Sequence, residues 1–367
     1  MTRHRTASAL LSGLLGLMVA FCGHRASAVL PLTGTVWAAG SFVASPAAAA
    51  AAALHTLEDR AAPPSAAPAP TGEPEAPAPA PAPAAPTPAP APSPEAEPAP
   101  PGAGVIESCH YPQGEGERYL PCGAGTIKNC TALSRGELLD VIGQPGLPFA
   151  IEKNSAEPQV LIMHTHTTES YESAARSWYD PAATSRTTDP AANVVAVGTA
   201  MAEELNRAGI RTIQDTTLHD YPNYNGSYAR SNQTVRGILA EHPGIKVVLD
   251  VHRDAIIRQD GTWIKPVADV PGTGPCAQVM IICGADQGGN LPRFRENLRF
   301  AARWQEAMWQ QVPGLARPVL FDYRYYNQDL TTGSLLLEVG GHANTLEEAV
   351  NAGRLAGKAL AQSLLQG

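Results

Sequence analysis

The sequence predicts a three-layer α/β fold: a mixed, mostly parallel sheet flanked by helices. Three observations lead there. Short apolar runs recur at Val160-Leu161-Ile162-Met163, Val247-Val248-Leu249 and Leu335-Leu336-Leu337, and such runs read as strands buried in a parallel sheet. Stretches of helical spacing alternate with them, which indicates an α/β class. Each run leads straight into a polar motif: His164-Thr165-His166-Thr167-Thr168-Glu169-Ser170, Asp250-Val251-His252-Arg253-Asp254 and Glu338-Val339-Gly340-Gly341. Ligands of open α/β sheets sit off the carboxyl ends of the strands. The three strand ends are therefore expected to gather histidines and glutamates at one place.

The chain divides into four parts. Residues 1–54 read as an export and anchoring region. Arg3, His4 and Arg5 precede an apolar run from Ala7 to Phe21, and an alanine-rich apolar stretch follows from Val29 to Leu54. A cationic flank before an apolar stretch directs the segment into a membrane, with its basic end in the cytoplasm. The first run falls short of the roughly 20 residues a span needs, and Ala26-Ser27-Ala28 suits signal peptidase. Anchor and cleaved signal both stay open. The anchor is preferred, because a tether gives the following spacer its use. Residues 55–104 are that spacer. Of the 34 prolines, half lie between about 62 and 101, in a stretch with too few large apolar side chains to offset the entropy of ordering. At roughly 3.1 Å per residue, a polyproline-like run of about 40 residues reaches on the order of 100 Å.

Residues 105–154 form a lead-in segment containing cysteine and glycine, with a helix expected over 134–142. Residues 155–367 form the main domain. Its pattern gives a strand at 159–164, a polar loop to 191 carrying Tyr171, Trp178 and Tyr179, and a helix over 193–208. Val194, Val197, Met201 and Leu205 share one face of that helix, and Gly209 stops it. A strand at 210–213, a polar loop through His219 to Gly226 and a helix over 227–240 follow. Strands at 246–251, 278–282, 319–325 and 334–339 come next, with a helix over 292–310 before the third of them. The closing helix spans 345–364, with Asn344 as cap and Glu347 and Glu348 in an acidic first turn. No internal repeat is present. The net charge of −8 offers no basic footprint for nucleic acid. Six cysteines suit an exported protein. Cys276 and Cys283 are close enough in sequence to close a small loop, and two of Cys109, Cys122 and Cys130 are candidates to pair.

The candidate site residues follow from the strand ends. His252, flanked by Asp250 and Asp254, is the first metal ligand. His164 and His166 alternate at a strand end, so their side chains are expected on one face. One would bind metal and the other orient it or touch substrate. Glu169 is the candidate carboxylate ligand and Asp189 its rival. Imidazole and carboxylate donors, with one position left for water, are what a catalytic Zn2+ uses. Glu338 ends an otherwise apolar strand, where burial costs a carboxylate unless it is paired or functional. Desolvation there raises its pKa, which suits a general base. Gly340 and Gly341 leave room for backbone to approach a ligand. Arg253 and His342 are candidates for substrate contact. Arg230 could hold a carboxylate, and His219 reads as a surface or cleft residue. The chain has neither the HExxH helix of common metalloproteases nor a GxSxG elbow.

The segments HTHTTESY, Asn193-Val194-Val195 opening a helix, HDYPNYNGSYARS, VVLDVHRDA and LLLEVGGHANTLEEA together resemble the stage II sporulation protein P family, over roughly residues 155–365. The resemblance implies a zinc-dependent peptidoglycan hydrolase of endospore formers, an N-acetylmuramoyl-L-alanine amidase that also acts as an endopeptidase on peptide cross-links. It further implies work at the cell membrane, on its extracytoplasmic side. The implied partners are a lytic transglycosylase and a membrane protein of forespore engulfment. The family in turn looks like distant kin of zinc amidases whose first ligand follows an Asp-Pro-Gly strand end. Against those, His166 matches the first histidine, His252 the second and Glu338 the catalytic glutamate. Their carboxylate ligand immediately precedes a helix, where this chain has Ala191-Ala192-Asn193. Glu169 and Asp189 are the nearest acids.

Overall fold

The computed structural model describes residues 98–366. The expected anchor, nearly all of the spacer and Cys22 lie outside them. Among the described residues no helix is long and apolar enough to cross a membrane.

The chain begins with β1 (Gly104–Cys109), β2 (Tyr119–Cys122), β3 (Gly125–Asn129) and α1 (Arg135–Ile142). It continues through β4 (Val160–Met163), β5 (Trp178–Tyr179), α2 (Val194–Arg207), β6 (Thr212–Gln214), α3 (Ser227–Glu241) and β7 (Val247–Asp254). Then come β8 (Trp263–Ala268), β9 (Cys276–Ala277), β10 (Val279–Gly284), α4 (Phe294–Gln311), β11 (Val319–Asp322), β12 (Gly333–Gly341) and α5 (Leu346–Gln366). The main sheet has the order β2-β3-β11-β10-β12-β7-β4-β6. Its pairs are parallel except β2 with β3 and β10 with β12. The sheet is thus mixed and mostly parallel, as the sequence predicts. The strands of a second sheet, β5-β1-β8-β9, and the strands β2 and β3 at one edge of the main sheet are those the pattern did not single out.

Strand alternation sorts the layers. Val160 and Ile162 of β4, Val247, Leu249 and Val251 of β7, and Leu335, Leu337 and Val339 of β12 enter the large core with α2, α4 and α5. Leu161, Met163 and Val248 face the other way, onto Val235 of α3. Helices therefore cover both faces. On β7 and β12 the alternation also turns His252 and Glu338 toward the α3 layer, because successive side chains on a strand point to opposite faces. Helix α2 lies close against α5 because α5 presents glycines there. A Cβ on Gly353 would stand 2.7 Å from Val197 Cγ1 and 3.1 Å from Val197 O.

The helix ends follow local chemistry. Asn193 Oδ1 accepts from Val195 N–H at 2.9 Å to cap α2, and Ser134 Oγ accepts from Glu137 N–H to cap α1. The cap of α5 falls one residue later than expected. Thr345 Oγ1 accepts from Glu348 N–H at 3.2 Å while Glu348 Oε2 accepts from Thr345 N–H at 3.0 Å. This reciprocal pair satisfies two helix-start donors. Asn344 instead bridges Gly341 N–H and Glu348. The small loop expected from Cys276 and Cys283 is not closed, and all five described cysteines are free. The two lie on consecutive strands β9 and β10. Extended chain between them spans on the order of 20 Å, against roughly 4–7 Å between the Cα atoms of a disulfide.

Candidate active site

Parallel pairing of β12 with β7 sets Glu338 directly beside His252. Pairing of β4 with β7 brings Met163 level with Asp250, so the chain leaving β4 passes over His252. It does so as a turn over residues 165–168 rather than as more strand. Thr165 N–H and Thr165 Oγ1 both donate to the Asp250 carboxylate, at 2.8 and 2.7 Å, and pin that turn. Glu169 arrives over the site. Its Oε2 accepts from Arg253 N–H at 3.2 Å and lies 3.4 Å from His252 Nδ1. His166 stands edge-on to His252, with ring centroids 5.2 Å apart.

The turn separates the two histidines that were expected to share a face. His164 keeps the direction of Ile162 and enters the α2 side. Its Nδ1–H donates to Val251 O at 2.9 Å, and its Nε2 accepts from Gln214 Nε2 at 3.0 Å. Both ring nitrogens are thus engaged on the face away from His252, so the structure sets His164 apart from His166, Glu169 and His252. Asp189 is exposed and accepts from Ala191 N–H in a local turn, so Glu169 is the acid that meets the histidines. Arg253, expected to touch substrate, is engaged with backbone carbonyls. Its Nε donates to Ser170 O at 2.6 Å and its guanidinium NH2 to Ser185 O at 2.8 Å, so it fastens the 170–185 loop to β7. Arg230 does the same for the next loop, donating to the carbonyls of His219, Asn223 and Asn225. His219 is buried, with Nδ1 donating to His164 O. His342 is buried against Trp263, with ring centroids 4.0 Å apart, and neither ring nitrogen has a hydrogen-bond partner.

Several neighbours of the site were not singled out by the sequence. Tyr224 stacks on His166 at 4.6 Å, and Arg186 lies 4.8 Å over the Tyr224 ring. Arg186 also pairs with Asp220 at 2.7 Å and reaches Glu169 at 3.6 Å. Tyr228 meets His166 edge-on at 5.4 Å and lies parallel to His252 at 6.5 Å. Asp250 could have been found, because it sits two residues before His252 on one strand and so shares its face.

Electrostatics divide the acids. Burial raises the Glu338 pKa to about 8, helped by Asp254 and opposed by His252. Its Oε2 is buried with no hydrogen bond. Burial also pushes Glu169 upward, but the hydrogen bond and charge of His252, with Arg253 and His166, outweigh it and hold Glu169 below the usual carboxylate range. Burial drives His166 down to about 3, so it is a neutral imidazole. His252 goes the other way. Burial lowers its pKa, but Asp250 and Glu169 outweigh that and raise it well above the ordinary value. Burial raises the Tyr228 phenol well above its ordinary value, and Asp250, Tyr326 and Glu338 add to this.

Among the described residues no three His, Cys, Asp or Glu side chains are already closed around one point as a bound metal would hold them. The donors nevertheless suit zinc in kind. Glu169 and His252 Nδ1 face each other at 3.4 Å, and neutral His166 adjoins them. Asp250 Oδ1 lies 2.8 Å from the far nitrogen of His252, Nε2, off the line of a good hydrogen bond. A carboxylate behind the non-ligating nitrogen is the usual partner of a metal-binding imidazole. The buried carboxylates Asp250 and Glu169 also need a cation between them, a need that the imidazolium charge of His252 meets in the metal-free protein.

A sequence model of the family described as Stage II sporulation protein P (SpoIIP) matches residues 121–361, beginning inside the lead-in segment. A curated Stage II sporulation protein P of Bacillus subtilis (strain 168) is 32% identical over 208 residues, covering 54% of this chain and 49% of that protein. The chain thus spans about half the length of the curated relative it matches. Among solved structures, the N-acetylmuramoyl-L-alanine amidase AmiC2 of Nostoc punctiforme aligns at 12% identity and a TM-score of 0.32, covering 58% of this chain and 97% of that one. The CwlD amidase of Clostridioides difficile, solved with the GerS lipoprotein, aligns at 14% identity and a TM-score of 0.33, covering 57% and 98%. The fold class itself stands on the strand order given above. On the family match across 121–361, this chain belongs to the stage II sporulation protein P family.

Proposed function

We propose that this chain is an exported, membrane-tethered, zinc-dependent peptidoglycan hydrolase of sporulation, acting as an N-acetylmuramoyl-L-alanine amidase and on peptide cross-links as well. The observation that carries the reading is Glu338: a buried carboxylate with an unpartnered oxygen, raised to about 8, one strand from His252. A stabilising core has no use for such a group, whereas a general base needs one. His166, Glu169 and His252 would hold the metal. Zinc, when bound, supplies Lewis-acid polarisation of the amide carbonyl and activation of water. Glu338 takes the proton as the water oxygen adds to the carbonyl carbon. It returns that proton to the amine nitrogen as the carbon–nitrogen bond breaks. Arg253 and Arg186 fix the loop that carries Glu169. Family membership supports peptidoglycan as substrate, a lytic transglycosylase and an engulfment membrane protein as partners, and an extracytoplasmic position at the cell membrane.

The test is dye release from labelled peptidoglycan with and without chelator, followed by mass spectrometry. Release that chelator abolishes and zinc restores, with stem peptides carrying a new free L-alanine amine, is expected. Wall binding without release at any zinc level would overturn the enzyme and leave a wall-binding scaffold.

A further inference from the structure

Helix α3 begins with Ser227-Tyr228 directly over the candidate site. Ser227 Oγ lies 3.4 Å from His166 Nδ1. The Tyr228 ring is held on three sides: edge-on to His166 at 5.4 Å, parallel to His252 at 6.5 Å and stacked on Tyr326 at 5.4 Å. Its backbone is fixed too. Asn327 Nδ2 donates to Tyr228 O at 2.9 Å and to Ser231 Oγ at 3.2 Å. Tyr326 and Asn327 adopt φ of 42° and 54°, two successive side-chain-bearing residues in the left-handed region. Such residues persist where their surroundings over-determine them, commonly at functional sites. The Asn327 hydrogen bonds and the Tyr326–Tyr228 stack hold this corner on the first turn of α3. The rings that clamp Tyr228 belong to the same cluster as Glu169 and Glu338, and the Tyr228 phenol lies within electrostatic range of both carboxylates. While water adds, Glu338 is engaged with the proton of that water, and Glu169, held below the usual carboxylate range, has no proton to give. Arg253 and Arg186 have their donors engaged on the 170–185 loop and on Asp220. A phenol is a donor at neutral pH.

We propose that Tyr228 is a further catalytic residue, whose hydroxyl donates to the carbonyl oxygen of the scissile amide as that oxygen becomes anionic. The inference rests on the hydrolase reading above. Hydrogen-bond donors aimed at developing charge act mainly in the transition state, and removing one costs about 10²–10³ in kcat. Tyr228→Phe keeps the ring, its three aromatic contacts and the backbone held by Asn327, and removes only the oxygen.

The experiment follows hydrolysis of a soluble muropeptide containing the N-acetylmuramoyl-L-alanine bond. It compares full-length wild-type protein with Tyr228→Phe and records zinc stoichiometry and thermal midpoint on the same samples. The expected result is kcat lower by about 10²-fold, KM within about twofold because ground-state binding is spared, and zinc content and midpoint as in wild type. Three results overturn the proposal while leaving the hydrolase reading intact: kcat within threefold of wild type, a raised KM at unchanged kcat, or loss of zinc from the variant. A zinc-loaded wild-type protein that cleaves no muropeptide overturns both.

Discussion

Glu338 and His252 are neighbours on adjoining strands, yet their protons behave oppositely. Glu338 has no partner for one oxygen and holds its proton up to about 8. His252 lies between Asp250 and Glu169 and stays charged in the metal-free protein. His252→Ala should lose most of its bound zinc, since two remaining donors seldom hold it. Wild-type zinc stoichiometry with normal hydrolysis would remove His252 from the metal site. Glu338→Gln should remain folded and zinc-loaded while turnover falls on the order of 10²–10⁴-fold. Near-normal turnover with zinc bound excludes the base role, and zinc lost together with activity would make Glu338 a ligand. A pH consequence follows with a definite sign. Glu338 has a folded pKa above its ordinary 4.5, so its contribution to stability is fully present below about 4.5 and is lost as pH rises to about 8. In chelator-treated protein, the thermal midpoint of wild type should therefore fall more steeply over that window than that of Glu338→Gln. Parallel curves would contradict the burial that raises it. These two residues were legible in the sequence because each is a polar group breaking an apolar strand. The aromatic shell was not. Tyr224 and Tyr228 reach His166 only because α3 starts over the β4 turn, and spacing along the chain carries no trace of that.

At the scale of elements, the long helices and the apolar strands were legible because length and period agree, and their edges fell within a few residues. The strands of the second sheet were not. β1 and β9 are short and mix cysteine with few large apolar residues, as does β2 at the edge of the main sheet. β8 carries Pro266 within its alternation, so hydrophobic contrast is weak. The separation of His164 from His166 has a related origin. Period-two alternation holds only while the chain stays extended, and β4 stops at Met163. The α2–α5 contact offers a test of packing. Gly353→Ala would ordinarily gain about 0.5–1 kcal/mol from helix propensity. Here the added Cβ meets a stiff Val197 methyl at 2.7 Å and a carbonyl oxygen at 3.1 Å. Overpacking of this kind costs about 1–3 kcal/mol, so the variant should melt below wild type. A raised melting temperature would show that the helices part freely.

For the whole molecule, reach decides activity if the wall substrate is insoluble and the N-terminal region is an anchor. Shortening the Pro-rich spacer by a few residues should be tolerated, because local concentration changes slowly with tether length. Exporting residues 105–367 without anchor or spacer at native expression should impair engulfment. Full function from the untethered domain would argue against tethering. The reversal between β10 and β12 has a practical use. Ile282 of β10 pairs with Leu336 of β12, whereas Val279 pairs with Val339. The turn after β10, with Gly288 and Gly289 at positive φ, therefore opens at the amino end of β12, opposite the Glu338 end. A fluorophore or affinity tag spliced between Gly288 and Gly289 would report the protein's whereabouts in a living cell while leaving the mouth of the site unobstructed.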